Sequence, residues 1–147
     1  MKAVVCRVDR ASVVVDGRTV GQVGRGLLIF AGVVDGDDES DVKWMAKKLA
    51  SLRLFNDQDD KMNLSVKDVA GGILLIPNFT LAGRTSKGTR PSYSNAAPPD
   101  VASKLFHELF EALNTEVPTE KGVFQAHMAI NSDCNGPVTV IVESPAK

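Results

Sequence analysis

The chain has few of the residues that hydrolases and metalloproteins use for chemistry. Its 147 residues include only two cysteines, Cys6 and Cys134, and two histidines, His107 and His127. No metal-ligand spacing surrounds them, which argues against a structural zinc centre and against a resident metal of any kind. A disulfide is not expected of a cytosolic chain, and Cys134 reads as an incidental thiol rather than a nucleophile. The Gly-x-Ser-x-Gly elbow of serine hydrolases is missing. Gly21, Gly24 and Gly26 fit neither a dinucleotide nor a Walker pattern. Asp57, Asp59 and Asp60 lack the glycine and terminal glutamate of a calcium loop and read as a solvated acidic turn. No organic cofactor is implied either.

No apolar run approaches the ~20 residues that cross a bilayer, and the N-terminus shows no secretory pattern, so a cytoplasmic location is expected. The formal net charge is −1, whereas proteins that coat nucleic acid generally carry a basic excess. An RNA enzyme that grips only a few terminal nucleotides is still compatible with that balance. Its contacts would come from local clusters: Lys43, Lys47 and Lys48 on a helix, Arg53 beyond it, or Arg84, Lys87 and Arg90 in a loop. The helical lysines read more simply as a solvated face.

The hydrophobic pattern predicts one α+β domain over residues 1–147, with a mixed sheet and two main helices. Valine-rich segments at 2–8 and 11–15 read as strands, and Asp16-Gly17 as a hairpin turn before 18–23. Residues 26–34 form a near-continuous apolar run, as in a strand buried on both faces. Asp35 to Asp38 precede a helix over 40–52 whose apolar stripe is Val42, Met45, Leu49 and Leu52. Short strands are predicted at 52–55, 62–65 and 73–76, the last ended by Pro77. Residues 82–99, rich in Gly, Ser, Thr, Asn and Pro, make a long loop of the kind that is usually functional. A second amphipathic helix follows over 100–113, with His107 on its surface. Alternation at Phe124, Ala126, Met128 and Ile130 predicts a strand over 122–130 with His127 on its opposite face. Asn135-Gly136 reads as a turn before a last strand over 137–142.

Two strand-end segments remain: Leu75-Ile76-Pro77-Asn78-Phe79-Thr80-Leu81 and Asn135-Gly136-Pro137-Val138-Thr139. Each puts a proline and exposed backbone where a ligand could meet them. Read on its own, Thr80 is a structural threonine in a β-favouring position. Together with Arg7-Val8, Leu52 to Phe55, Lys61 to Ser65, Asp68, Lys87 to Ser92 and Met128, the segments resemble the D-aminoacyl-tRNA deacylases along essentially the whole chain.

The resemblance implies hydrolysis of the ester between a D-amino acid, or glycine, and the 3′ acceptor end of tRNA, as proofreading in translation. It implies a homodimer with active sites at the subunit interface, and no membrane or DNA partner. Pro77, Asn78, Phe79 and Thr80 would form the catalytic element, with backbone amides holding the oxyanion and the tRNA 2′-OH assisting the water. Thr80 is favoured as a positioning group over a nucleophile. Gly136 and Pro137, cis in the D-specific branch and braced by Arg7, would exclude L side chains from a pocket that also involves Met128 and Phe124. Arg84, Lys87 and Arg90 would contact tRNA. The usual Ser-Gln of the D-specific pattern is Pro77-Asn78 here, and Asn135 departs as well. Pro77 and Asn135 resemble a sister branch that removes L-alanine from threonine tRNA, whereas Phe79, Val138 and Arg7 resemble the D-specific one. Deacylation of L-alanyl-tRNA with relaxed chirality, and a tRNA-binding homologue without catalysis, therefore stand as alternatives.

Overall fold

The computed structural model describes residues 1–147. Strand β1 (Lys2–Val15) is a single strand of 14 residues, not the two separate strands that its valine clusters suggest. Asp16 and Gly17, both at positive φ (50° and 77°), turn the chain into β2 (Arg18–Val23). Strand β3 (Gly26–Gly32) is buried along almost its whole length. It pairs antiparallel with β1 and parallel with β6 (Gly72–Pro77), which explains its unbroken apolar run. A short strand that the pattern did not reveal, β7 (Thr119–Lys121), extends the parallel side. The order is β2-β1-β3-β6-β7, and β8 (Ala129–Glu143) runs antiparallel to β1 on its other edge. Strands β4 (Arg53–Asn56) and β5 (Met62–Ser65) form a separate two-stranded sheet.

Two helices cover one face of the large sheet. Helix α1 (Glu39–Ser51) begins at Asp38, whose carboxylate closes a capping box with Asp41. Helix α2 (Pro99–Asn114) starts with proline at its first position, where no backbone donor is needed. Between helices and sheet lies the main core of 25 buried residues, among them Val5, Leu27, Ile29, Met45, Leu49, Leu75, Leu109 and Leu113. The opposite, concave face packs a smaller cluster of Val8, Ala11, Val13, Leu28, Leu74 and Ile76. No helix is long and apolar enough to cross a membrane.

Three further sequence expectations need correction. Residues 122–128 do not form a strand. Phe124 and Gln125 make a turn, with Gln125 at φ 64°, and Phe124 leans on Phe106 of α2 at 6.5 Å between ring centroids. The alternation in burial persists without a strand: Phe124, Ala126 and Met128 are half-buried, whereas Val123, Gln125 and His127 are exposed. Asn135-Gly136 is no hairpin turn but part of an irregularity inside β8. Between the pairs Cys6–Thr139 and Val8–Cys134, the four residues Asn135 to Val138 face Arg7 alone. The last strand accordingly begins at Ala129, not at Pro137.

The Asp38 carboxylate also meets the Lys147 ammonium at 2.8 Å, and the Lys147 and Ser40 donors hold its pKa far below the ordinary value of 3.8. A carboxylate depressed in the folded state stabilises fully above its unfolded pKa, and that contribution fades as pH falls through the folded one. Asp38→Ala is expected to lower the thermal midpoint at pH 7. Its deficit relative to the parent should shrink steadily as the pH falls below 3.8, as thermal melts across an acid pH series would show.

Candidate active site

Strand β6 ends at Pro77, and the chain then tightens into a 3-10 turn, Phe79–Ala82. The turn is tied down at both ends. The Asn78 amide donates to the Ala31 carbonyl at 2.8 Å, and the Leu81 amide returns to the Asn78 carbonyl at 3.3 Å. Phe79 and Thr80 head the turn, where backbone amides have no acceptor within it. Those two N–H groups are free to serve something outside the turn.

The turn forms one wall of an open groove of about 890 Å³. Pro77, Asn78, Phe79 and Thr80 line it together with Phe124, Gln125, Ala126 and Met128 from the segment after β7. The third wall comes from the long loop and the start of α2: Tyr93, Ala96, Ala97, Pro98, Pro99 and Ala102. Four predicted catalytic positions and two predicted substrate contacts thus meet in one place. Sequence reasoning flagged the loop as functional but named none of these third-wall residues. Tyr93 is the most consequential omission. Its ring meets Phe79 edge-on at 5.4 Å and 66°, so two exposed aromatic faces stand together at the groove rim. The composition of the loop carried no signal for that pairing.

No histidine, carboxylate or ammonium lines the groove, and Tyr93 is its single titratable group. The Thr80 hydroxyl donates to Asn78 Oδ1 at 2.5 Å. Nothing beside it can take its proton as a general base. The arrangement therefore offers backbone donors, one fixed hydroxyl and apolar walls. It can hold an ester and stabilise a developing oxyanion, whereas it cannot activate a nucleophile through a side chain.

Arg7, Gly136 and Pro137 lie elsewhere in the chain. They stand at the four-residue bulge of β8, beside a smaller polar cavity of about 160 Å³ that Arg7, Asn56 and Asn135 help to line. The Gly136–Pro137 peptide bond is cis, and Gly136 has φ 124°. The Arg7 guanidinium spans the bulge. It donates to the Asn135 carbonyl (3.3 Å), Asn135 Oδ1 (3.1 Å), the Leu54 carbonyl (2.9 Å) and Asn56 Oδ1 (3.4 Å). Asn135 Nδ2 donates in turn to Asp9 Oδ1 at 2.9 Å. Asn135, a departure from the D-specific pattern, thus serves the brace itself. A planar fork of several donors suits this task, and a lysine could not reproduce it.

Arg84, Lys87 and Arg90 project from the exposed tip of the loop whose base lines the groove. Reciprocal backbone hydrogen bonds between Arg84 and Ser92 (2.8 and 2.9 Å) pinch that tip. Lys43, Lys47 and Lys48 sit on the exposed face of α1 and do not line the groove. His107 pairs with Lys121 and Glu111 on the surface of α2, and His127 is exposed beside the groove segment without lining it.

The family model described as "D-Tyr-tRNA(Tyr) deacylase" matches residues 4–143. A D-aminoacyl-tRNA deacylase of Geobacter metallireducens is 51% identical over 99% of this chain and 97% of its own length. One of Pelobacter propionicus is 49% identical over 97% of this chain and 99% of its own. Among solved structures, "c-Myc DNA Unwinding Element Binding Protein" superposes with a TM-score of 0.94 at 35% identity, covering 99% of this chain and 100% of that one. A second, described as "a probable eukaryotic D-amino acid tRNA deacylase", shares the fold at a TM-score of 0.81 and 15% identity, covering 96% and 97%.

The groove wall depends on close backbone approach at Gly32. A Cβ there would sit 2.7 Å from the Asn78 carbonyl oxygen and 3.1 Å from Leu81 Cβ. Gly32→Ala is expected to push the Phe79–Ala82 turn outward and to cost about 1–3 kcal/mol of stability. Gly24→Ala, with no atom within 4 Å of the new methyl group, should stay within about 0.5 kcal/mol of the parent. Denaturant unfolding of the two variants side by side checks the contrast.

Proposed function

The chain belongs to the D-Tyr-tRNA(Tyr) deacylase family, a family of aminoacyl-tRNA ester hydrolases, and on that premise we propose that it removes D-amino acids and glycine from the 3′ end of tRNA. The observation that carries the reading is the pair of free amides, Phe79 and Thr80, at the wall of a groove lined without an acid–base side chain. An aminoacyl ester is already activated, so hydrolysis asks for a placed water and donors aimed at the tetrahedral oxyanion. Phe79 and Thr80 supply the donors. The 2′-OH of the terminal adenosine assists the water, which supplies the polar function missing from the protein. Thr80 positions the turn through its bond to Asn78.

Specificity in this reading needs two copies of the chain. The groove and the Gly136-Pro137 bulge are separate in one protomer, so the bulge of each copy enters the groove of the other and excludes an L side chain by steric conflict. Strand β8 supports the assembly. It pairs with β1 alone, which leaves the outer edge of 15 residues without a partner strand, and its Ile141 is 74% exposed. Edges of that length are normally covered. Arg84, Lys87 and Arg90 then flank the groove as contacts for the phosphates of the acceptor end, in a cytoplasmic protein.

Pro77 and Asn78 are the departures from the D-specific pattern that line the groove, and they keep the L-alanyl reading open to test. Purified protein is expected to hydrolyse D-tyrosyl-, D-alanyl- and glycyl-tRNA and to leave L-alanyl-tRNA at its spontaneous rate. Brisk L-alanyl cleavage would establish the relaxed-chirality alternative, and inactivity on all four the binding-only homologue.

Thr80→Ala should retain turnover within about tenfold of the parent, because no base stands ready to use the hydroxyl. A substrate ending in 2′-deoxyadenosine should lose about a hundredfold or more, in line with removal of a group that assists proton transfer in the transition state. Single-turnover deacylation kinetics measures both.

A further inference from the structure

The two cysteines lie 128 positions apart in sequence, yet β1 and β8 bring them together at the Gly136-Pro137 bulge. Cys6 is opposite Thr139 and Cys134 is opposite Val8, so the two residues flank the bulge and Arg7 lies between their rungs. The side chains converge. Cys134 is the rung partner of Val8, and Cys6 packs against the cluster that contains Val8, so both thiols lie on that side of the sheet. Cys134 is exposed and lies 3.6 Å from the Ser132 hydroxyl, whereas Cys6 is half-buried against the concave core. Neither thiol has a place in the hydrolytic scheme, and neither is enclosed enough to be an inert core residue.

We infer that Cys6 and Cys134 are a modification site: a thiol pair that a hydroperoxide oxidises to an intramolecular disulfide across the base of the bulge. The exposed sulfur reacts first. Cys134 thiolate attacks the peroxide, the O–O bond breaks, and sulfenic acid forms while water or an alcohol leaves. Cys6 sulfur then attacks that sulfenic sulfur. The S–S bond forms, the S–O bond breaks, and the departing hydroxide takes the Cys6 proton to leave as water. The two cysteines together lose two electrons and the peroxide gains them, so the step is balanced. Burial pushes the Cys6 thiol up, which suits it to the second, resolving role.

Closure has a structural consequence. A disulfide holds its Cα atoms at roughly 4.4–6.8 Å and its Cβ atoms at about 3.5–4.5 Å, a tighter fit than diagonal neighbours of a regular ladder have, at a place where the ladder is already irregular. Forming the bond therefore draws the two strands together beside Arg7 and moves the anchor of Asn135. The oxidation itself stands independently of the deacylase reading. Its effect on turnover rests on that reading, through the displaced Gly136-Pro137 element.

The test treats the full-length protein with hydrogen peroxide, blocks free thiols with N-ethylmaleimide, and reads intact mass and peptide maps. Expected are the loss of two hydrogens, no alkylation, and a linked peptide pair containing Cys6 and Cys134. Full alkylation of both thiols, a disulfide between chains, or over-oxidation of Cys134 with Cys6 still free would overturn the inference. In parallel, the oxidised protein should deacylate glycyl-tRNA at least roughly tenfold more slowly, since small displacements of positioning groups cost rate steeply. Dithiothreitol should restore the rate, and Cys6→Ser should keep its rate after peroxide. An oxidised protein of unchanged rate, or a Cys6→Ser variant inactivated like the parent, would overturn the link to the bulge. A reduced parent without activity would count against the functional reading alone, because the mass readout does not depend on turnover.

Discussion

The pairing of β1 organises this molecule. Its fourteen residues hold β3 and β2 along one edge and β8 along the other. The register on the first edge fixes β3 and, through it, β6, whose end delivers the Pro77–Thr80 turn. The register on the second edge produces the bulge, because four residues of β8 must be accommodated against Arg7. A one-residue slip in β1 would invert every side chain it presents and disturb both features together. Hydrophobic burial enforces the register: Ala3, Val5, Val8, Ala11 and Val13 all point into core, the first two toward the helices and the rest into the concave face.

On this frame the candidate site works by placement. Its donors are main-chain amides at the head of a turn, its walls are apolar, and its one hydroxyl is engaged with Asn78. Such a site suits a substrate that brings its own reactivity. In the proposed reading an aminoacyl ester with a neighbouring 2′-OH does so, and that reading accounts for a groove lined without histidine or cysteine. Charged residues are used instead for structure. Arg7 ties the bulge to β4 and to Asn135, and Asp38 caps α1 while pairing with Lys147.

Much of the fold was legible because local rules agree with burial. The Asp16-Gly17 hairpin, the doubly buried β3, both amphipathic helices and the ending of β6 at Pro77 each follow from a pattern within a dozen residues. Phe124 and Met128, expected to contact substrate, line the groove, although the strand expected through them does not exist. Their apolar character was legible, whereas the backbone path was set by Gln125 at positive φ and by the packing of Phe124 on Phe106. Tyr93 escaped notice because its partner Phe79 lies fourteen positions away across a loop that carries no periodicity.

The sequence by itself determined the fold class, most of the elements and the family, since these rest on periodicity, turn chemistry and ordered motifs that survive in one dimension. Only the tertiary structure decided that Asn135-Gly136 is a bulge rather than a turn, that Arg7 is its brace, and that Cys6 and Cys134 are neighbours. It also decided that groove and bulge stand apart in one chain. The physical reason is common to the first three. Each depends on strand register between β1 and β8, residues more than a hundred positions apart in the chain, and no local pattern encodes which rung meets which.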